Sequence, residues 1–118
     1  MARFGRNMKL TAAEKDRAGL RALLADVLGG SLSQPMPTMD IYKLPDGFSI
    51  GVSVVKDEEA LTSAALRSAP WLEFEVEDVD KVREALAKLG IVPFEYVDRS
   101  HLYFQAPGGP VFRLARSS

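Results

Sequence analysis

Side chains that could do chemistry are concentrated in the second half of this 118-residue chain, on segments whose spacing is that of β-strands. The candidate binding residues are Trp71, Glu73, Glu75, His101, Tyr103, Gln105 and Arg113. They offer an indole, a phenol, an imidazole, carboxylates and a guanidinium. Such a set suits the recognition of a small molecule by a few directed polar groups and aromatic rings.

Acid–base chemistry is the second possibility that these residues raise. His101 is the only histidine, and with Glu73 or Tyr103 nearby it could move a proton; these three are the catalytic candidates. His101 also follows the turn Asp98-Arg99-Ser100, which fits a residue at the rim of a site. Glu73 could instead form a structural ion pair with Arg113 across the sheet.

The elements that would position these residues follow from the pattern of residues 71–115. Residues 71–76 alternate strictly between apolar and polar, which predicts a half-buried strand. Asp78 is placed to cap a helix that ends at Gly90. Three β segments follow, at Ile91–Val97, His101–Gln105 and Val111–Ala115, and the turn 106–110 joins the last two.

The first half repeats this order at an offset of 62 positions. Leu24 falls on Leu86, Pro45 on Pro107 and Gly47 on Gly109. The predicted elements are a strand at 3–10, a helix at 11–28, and strands at 31–36, 40–44 and 48–55.

The repeat predicts an α+β fold of two tandem βαβββ modules. We expect residues 1–118 to make a single domain, with modules at about 3–55 and 71–116 and a connector at 56–70. A duplicated ferredoxin-like domain is the alternative arrangement.

Composition excludes several classes of function. The hydrophobic content of 47% is that of a globular protein, and the net charge of −1 leaves no electrostatic footprint for nucleic acid or an anionic membrane. Cysteine is absent, which excludes disulfides, thiolate nucleophiles and cysteine-ligated metals. No apolar run approaches the length of a membrane span, and we expect a cytoplasmic protein.

Three stretches of the second half resemble the vicinal oxygen chelate superfamily, the fold of glyoxalases, bleomycin-resistance proteins and extradiol dioxygenases. They are Leu72–Asp80, the helix end Leu89-Gly90, and Tyr103–Leu114 with its Ala-Pro-Gly-Gly-Pro turn. By this resemblance the curled mixed sheets of the two modules form a cleft, the helices cover the outer face, and the polar side of the strands faces the cavity.

The resemblance also implies where metal ligands would stand, and this chain departs from it there. The ligand positions fall on Trp71 and Arg113 and, through the repeat, on Lys9 and Gly51, while Ala106 replaces the usual turn aspartate. None of these side chains suits a divalent metal, which takes imidazole or carboxylate. We therefore expect no metal site and no cofactor.

Three functions remain open. The first is a metal-free protein of the bleomycin-resistance type that sequesters a small organic molecule, aromatic or cationic, and forms a homodimer. The second is a lyase, isomerase or dioxygenase of the same superfamily, with a displaced metal site or metal-free acid–base catalysis. The third is an interaction module whose pocket is plugged by Trp71.

Overall fold

The chain has an α+β fold built from two compact units. A computed structural model describes residues 1–117, with the first unit at Met1–Ala60 and the second beginning at Leu61. Each unit carries one mixed sheet and few helices, as predicted. That the two units form one domain stays a prediction. Among the described residues, no helix is long and apolar enough to cross a membrane.

The first unit holds a four-stranded sheet in the order β1-β4-β3-β2. Its strands are β1 (Asn7–Ala13), β2 (Ser31–Met36), β3 (Met39–Lys43) and β4 (Ser49–Val55). A helical segment between β1 and β2 comprises a 3₁₀ turn (Glu14–Asp16), helix α1 (Arg17–Arg21) and a π-helical stretch (Ala22–Val27). A second 3₁₀ turn, Asp57–Glu59, follows β4.

The first strand runs further than the sequence predicted. The prediction placed this strand at 3–10 and began the helix at 11, but β1 begins at Asn7 and continues to Ala13. Thr11, Ala12 and Ala13 pair in parallel with the end of β4, and the two alanines are buried. Alanine is a good helix former, but here burial in the sheet overrides its local preference.

A buried ion pair fixes the start of the helical segment to the β2–β3 hairpin. Asp40 on β3 is 1% exposed, and it accepts hydrogen bonds from Arg17 Nε at 2.9 Å and Nη2 at 2.8 Å. Gln34 on β2 donates a third bond to the same carboxylate at 2.8 Å. Arg17 also donates to the carbonyl of Pro37 at 2.8 Å, so one side chain connects three segments of the unit.

The second unit holds a three-stranded sheet in the order β5-β7-β6. Its elements are helix α2 (Ser63–Arg67), β5 (Leu72–Val76), helix α3 (Val79–Lys88), β6 (Leu102–Gln105) and β7 (Val111–Arg116). The carboxylate of Asp78 accepts from the amide of Lys81 and caps α3, as predicted. Gly90 has a φ of 76°, the left-handed conformation that ends this helix.

The predicted strand at 91–97 does not form. This segment makes a single bridge, Phe94 with Tyr103, so the second module has three full strands where the βαβββ prediction required four. Pro93 fixes its own φ near −65° and restrains the residue before it. On the other side, Asp98 binds the amide of Ser100, and this local turn withdraws the chain from the ladder before more pairs can form.

Alternation divides the second sheet into a core face and a polar face. The core face packs against α3, where Leu86 is fully buried. On this face the ring of Phe112 makes edge contacts with the rings of Phe74 and Phe104, with ring centres 4.9 Å and 5.7 Å apart. The polar face carries the alternate residues of the same strands, among them Glu73 and Arg113. Burial of the aromatic face therefore fixes the direction of the candidate binding residues.

Residues that face each other across neighbouring strands form a corresponding row in each sheet, except that the first strand is shifted along its partner. In the first sheet the row consists of Lys9, Gly51 and Ile41. In the second sheet it consists of Glu73, Arg113 and Tyr103. The last two members of each row differ by the predicted 62 positions, but the first strand is displaced by two. The predicted equivalence of Lys9 with Trp71 is therefore wrong, because 42 residues separate Lys9 from its partner and only 40 separate Glu73 from Arg113.

Candidate functional site

The polar face of the second sheet brings together five of the seven predicted binding residues. Glu73 lies directly opposite Arg113, and Arg113 lies opposite Tyr103, so the three side chains form one row on one side. Trp71 precedes β5 and His101 precedes β6, each two residues before a member of the row. We call these residues, together with Asp98, the Arg113 cluster.

Arg113 is the centre of the cluster. Its Nε donates to Glu73 Oε2 at 2.7 Å, and its Nη2 lies 2.5 Å from the same oxygen. Its Nη1 donates to Asp98 Oδ2 at 3.3 Å and approaches the Tyr103 hydroxyl at 3.5 Å. The cross-strand ion pair that the sequence allowed is thus formed, and a second carboxylate joins it.

Asp98 is the member of the cluster that sequence reasoning missed, since its Asp-x-Ser pattern indicates only a turn. Its Oδ1 accepts from the Ser100 hydroxyl at 2.5 Å and the Ser100 amide at 2.9 Å. Its Oδ2 lies 2.7 Å from His101 Nδ1 and 3.3 Å from the Tyr103 hydroxyl. The bonds from Ser100, with a smaller contribution from His101, hold the pKa of Asp98 well below its usual range, so this carboxylate is ionised.

His101 is oriented by that carboxylate. Because ionised Asp98 can only accept, the neutral imidazole carries its proton on Nδ1, and Nε2 keeps its lone pair. The Ser100 hydroxyl also lies 3.0 Å from Nδ1. A serine nucleophile would have to bond the nitrogen that the aspartate does not, so this arrangement is not a hydrolase triad.

Aromatic rings surround the buried ring of Tyr103. The Trp71 ring meets it edge-on, with ring centres 6.0 Å apart, and the Tyr96 ring lies tilted against it, with ring centres 4.8 Å apart. The Arg113 guanidinium carbon lies 4.4 Å from the centre of the indole, which is cation–π distance. Trp71 remains 38% exposed and Tyr96 is also exposed, so the cluster presents aromatic surface within reach of a ligand.

The other two predicted binding residues stand apart from the cluster. Gln105 donates to the carbonyl of Ser63 at 2.8 Å and of Gly109 at 3.2 Å, so it connects α2 to the β6–β7 turn. Glu75 shares the side of Glu73 but is exposed, and within residues 1–117 it makes no hydrogen bond or ion pair.

The residues at the implied metal positions of the second unit do not fit a metal. Arg113 places a fixed positive charge there, and Glu73, the nearest carboxylate, is already bonded to it. In the part of the chain that the structure describes, no group of three or more His, Asp or Glu side chains is placed to hold a metal ion. The donor set therefore disagrees with a metal centre built on this row.

Comparisons with solved structures identify the fold. A possible glyoxalase from Bacillus cereus is 21% identical, with a TM-score of 0.71 over 96% of this chain and 98% of that one. A point mutant of the fosfomycin resistance protein FosX from Listeria monocytogenes, complexed with Mn(II) and 1S,2S-dihydroxypropylphosphonic acid, is 17% identical, with a TM-score of 0.74 over 97% of this chain and 90% of that one. The oxidase ChaP-H2 is 18% identical, with a TM-score of 0.71 over 100% and 96%.

These likenesses show that the chain has the vicinal oxygen chelate fold, as the sequence resemblance implied. No protein-family model matches the sequence, and no curated protein matches it. At these identities the comparisons establish the fold alone. The function must be argued from the Arg113 cluster.

Proposed function

We propose that this protein is a metal-free, glyoxalase/bleomycin-resistance-like binding protein that sequesters an aromatic cationic small molecule at the Arg113 cluster. One observation carries the proposal. Where the fold family's metal enzymes place a carboxylate ligand, Arg113 forms bonds to two carboxylates beneath an exposed indole. The cluster thus offers charged and aromatic groups to a ligand, and the guanidinium of Arg113 takes the place of a metal ion.

The charge of the cluster favours a cation. Glu73 and Asp98 place two carboxylates around the single guanidinium of Arg113, beside Trp71 and Tyr96. An aromatic cation gains from that charge and from the faces of the rings. A neutral ring of the same size gains only from contact with the rings.

Fluorescence of the chain's only tryptophan gives a direct assay, because Trp71 lies in the cluster. We expect N-methylquinolinium to change the Trp71 emission with a dissociation constant about three- to tenfold lower than that of uncharged quinoline. Glu73→Gln should abolish this preference. The matched control Glu84→Gln, an exposed carboxylate on α3, should retain it.

Elemental analysis tests the metal-free part of the proposal. Purified protein is incubated with Mn²⁺, Fe²⁺, Ni²⁺ or Zn²⁺, and unbound metal is removed before the bound metal is measured. We expect no stoichiometric uptake of any ion. One equivalent per chain would overturn the proposal and make a superfamily enzyme the better interpretation. Failure of both aromatic probes to bind would instead favour an interaction module.

Metal-free acid–base catalysis is the second candidate, and the Asp98–His101 contact at 2.7 Å favours it. A carboxylate that fixes the imidazole tautomer prepares Nε2 to accept a proton. The test is exchange of an acidic C–H of a bound carbonyl compound in D₂O, followed by proton NMR. Exchange that disappears in His101→Gln would support an enzyme; exchange no faster than in buffer would exclude this route for the compound used.

We also propose that the protein self-associates as a homodimer. The second unit exposes large apolar side chains, Leu61, Leu89, Val92 and Val97, of a kind that association commonly covers. Light scattering coupled to size-exclusion chromatography should give twice the chain mass of 12.9 kDa. A monomer mass at micromolar concentration would contradict this.

A further inference from the structure

Two polar atoms at the edges of the Arg113 cluster are left for a ligand. Glu73 uses only Oε2 to bind Arg113, and His101 uses only Nδ1 to bind Asp98. Within residues 1–117, Glu73 Oε1 and His101 Nε2 have no hydrogen-bond partner. Glu73 contacts the Arg113 guanidinium directly, and His101 is linked to it through Asp98.

Both of these atoms are hydrogen-bond acceptors. A carboxylate oxygen accepts by its nature, and Nε2 accepts in the neutral tautomer that the contact with Asp98 selects, which has its proton on Nδ1. Asp98 itself is fully used, since its two oxygens already face Ser100, His101, Tyr103 and Arg113. A ligand therefore finds unoccupied acceptors here, one of them charged.

The guanidinium of Arg113 is directed mainly at carboxylates of the cluster itself. Its Nε and Nη2 point at Glu73 and its Nη1 at Asp98, and its Cζ lies 4.4 Å from the centre of the Trp71 ring. An anionic ligand would have to compete with these two carboxylates for Arg113 and would be repelled by both. A donor-bearing ligand displaces nothing.

We propose that the ligand class is an aromatic cation that carries N–H donors, a primary ammonium or an amidinium, in preference to a quaternary ammonium. This inference rests on the proposed function and narrows it. An N–H cation can donate a charge-assisted hydrogen bond to Glu73 Oε1 while its ring contacts Trp71 or Tyr96. A quaternary cation obtains only the Coulomb and ring contributions.

Three probes of similar size separate these contributions. Benzamidine has charge and N–H donors, phenyltrimethylammonium has charge alone, and benzamide has N–H donors alone. Titration calorimetry at neutral pH should give benzamidine a dissociation constant about tenfold lower than phenyltrimethylammonium, because the charge-assisted bond is added. Benzamide should bind more weakly than both.

Variants then locate the acceptors. Glu73→Gln should reduce benzamidine affinity to about that of benzamide, and His101→Phe should reduce it by about two- to fivefold. Glu84→Gln on α3 should leave all three affinities unchanged. A thermal melt checks that each variant is folded, and the series on the unaltered protein tests the inference even if a variant is not.

The outcomes separate this inference from the proposed function. If benzamidine and phenyltrimethylammonium bind equally and benzamide binds weakly, the cluster is a general cation site and the donor requirement is wrong. If neither cation binds, the proposed function fails as well. A tenfold preference that survives Glu73→Gln would place the contact elsewhere and overturn the assignment to Glu73.

Discussion

The buried pair Arg17–Asp40 predicts an asymmetric response to mutation. Asp40 is 1% exposed, while the Arg17 side chain is 20% exposed and can turn toward water. Arg17→Leu leaves an ionised carboxylate in the interior with Gln34 as its one remaining donor, and we expect it to lower the free energy of unfolding by about 3–5 kcal/mol. Asp40→Asn frees an arginine that can be hydrated, and should cost only about 1–3 kcal/mol.

The free energy of unfolding should depend on pH with opposite sign in the unaltered protein and in Arg17→Leu. Hydrogen bonds from Arg17 lower the pKa of Asp40, with Gln34 assisting and burial opposing. A depressed pKa stabilises the folded state above the unfolded-chain value of about 3.9, and this stabilisation is lost as the pH falls below it. In Arg17→Leu, burial is opposed only by the hydrogen bond from Gln34 and the charge of Arg21, each a smaller effect than burial, and we expect the pKa of Asp40 to rise. The stability of that variant should therefore increase as the pH falls from neutrality toward about 5.

Urea denaturation followed by far-ultraviolet circular dichroism measures these differences. The double variant Arg17→Leu, Asp40→Leu should recover most of the stability lost in the single variant, since it removes the unpaired charge. The exposed pair Arg6–Asp46, with side chains 62% and 71% exposed, supplies the control: Arg6→Leu should change stability by less than about 1 kcal/mol. A cost below about 1 kcal/mol for Arg17→Leu, with no pH trend, would refute the reasoning.

Three further substitutions test other elements. Asp98→Asn should weaken binding of N-methylquinolinium and broaden the proton resonances of His101, because the imidazole loses the carboxylate that fixes its tautomer; unchanged affinity would remove Asp98 from the site. Gly90→Ala should cost about 1 kcal/mol in thermal unfolding because φ is 76°, whereas Gly5→Ala should be neutral. Asp78→Ala should cost about 1 kcal/mol through loss of the α3 cap, and no change in melting temperature would contradict that role.

The sequence predicted those elements whose local pattern and tertiary environment agree. Strict alternation over residues 71–76 gave β5 to within one residue, and the Asp78 cap and Gly90 stop gave α3. The same alternation, together with the family resemblance, put Glu73 and Arg113 on one face and allowed their ion pair. In these segments one hydrophobic period decides both the secondary structure and the direction of the side chains.

The errors fall where tertiary contacts override local signals. Thr11–Ala13, predicted as the start of the helix, are part of β1 because β4 offers a parallel partner. Residues 91–97 look β-prone, yet Pro93 and the turn at Asp98 limit them to one bridge. Asp98 was read as a turn residue because its role depends on Arg113, 15 positions later, and no local pattern encodes that contact.

The matched rows of the two sheets have a consequence for how new activities can arise in this chain. Where the second sheet has Arg113, the first has Gly51, and a Cβ at Gly51 would meet only ordinary contacts at 3.8 Å or more. The first unit thus holds a position that accepts a Cβ without displacing its neighbours, while the second unit keeps its own cluster. The two sheets therefore carry one occupied position and one open position at corresponding places in their rows. The open one is the place at which a second functional side chain would start.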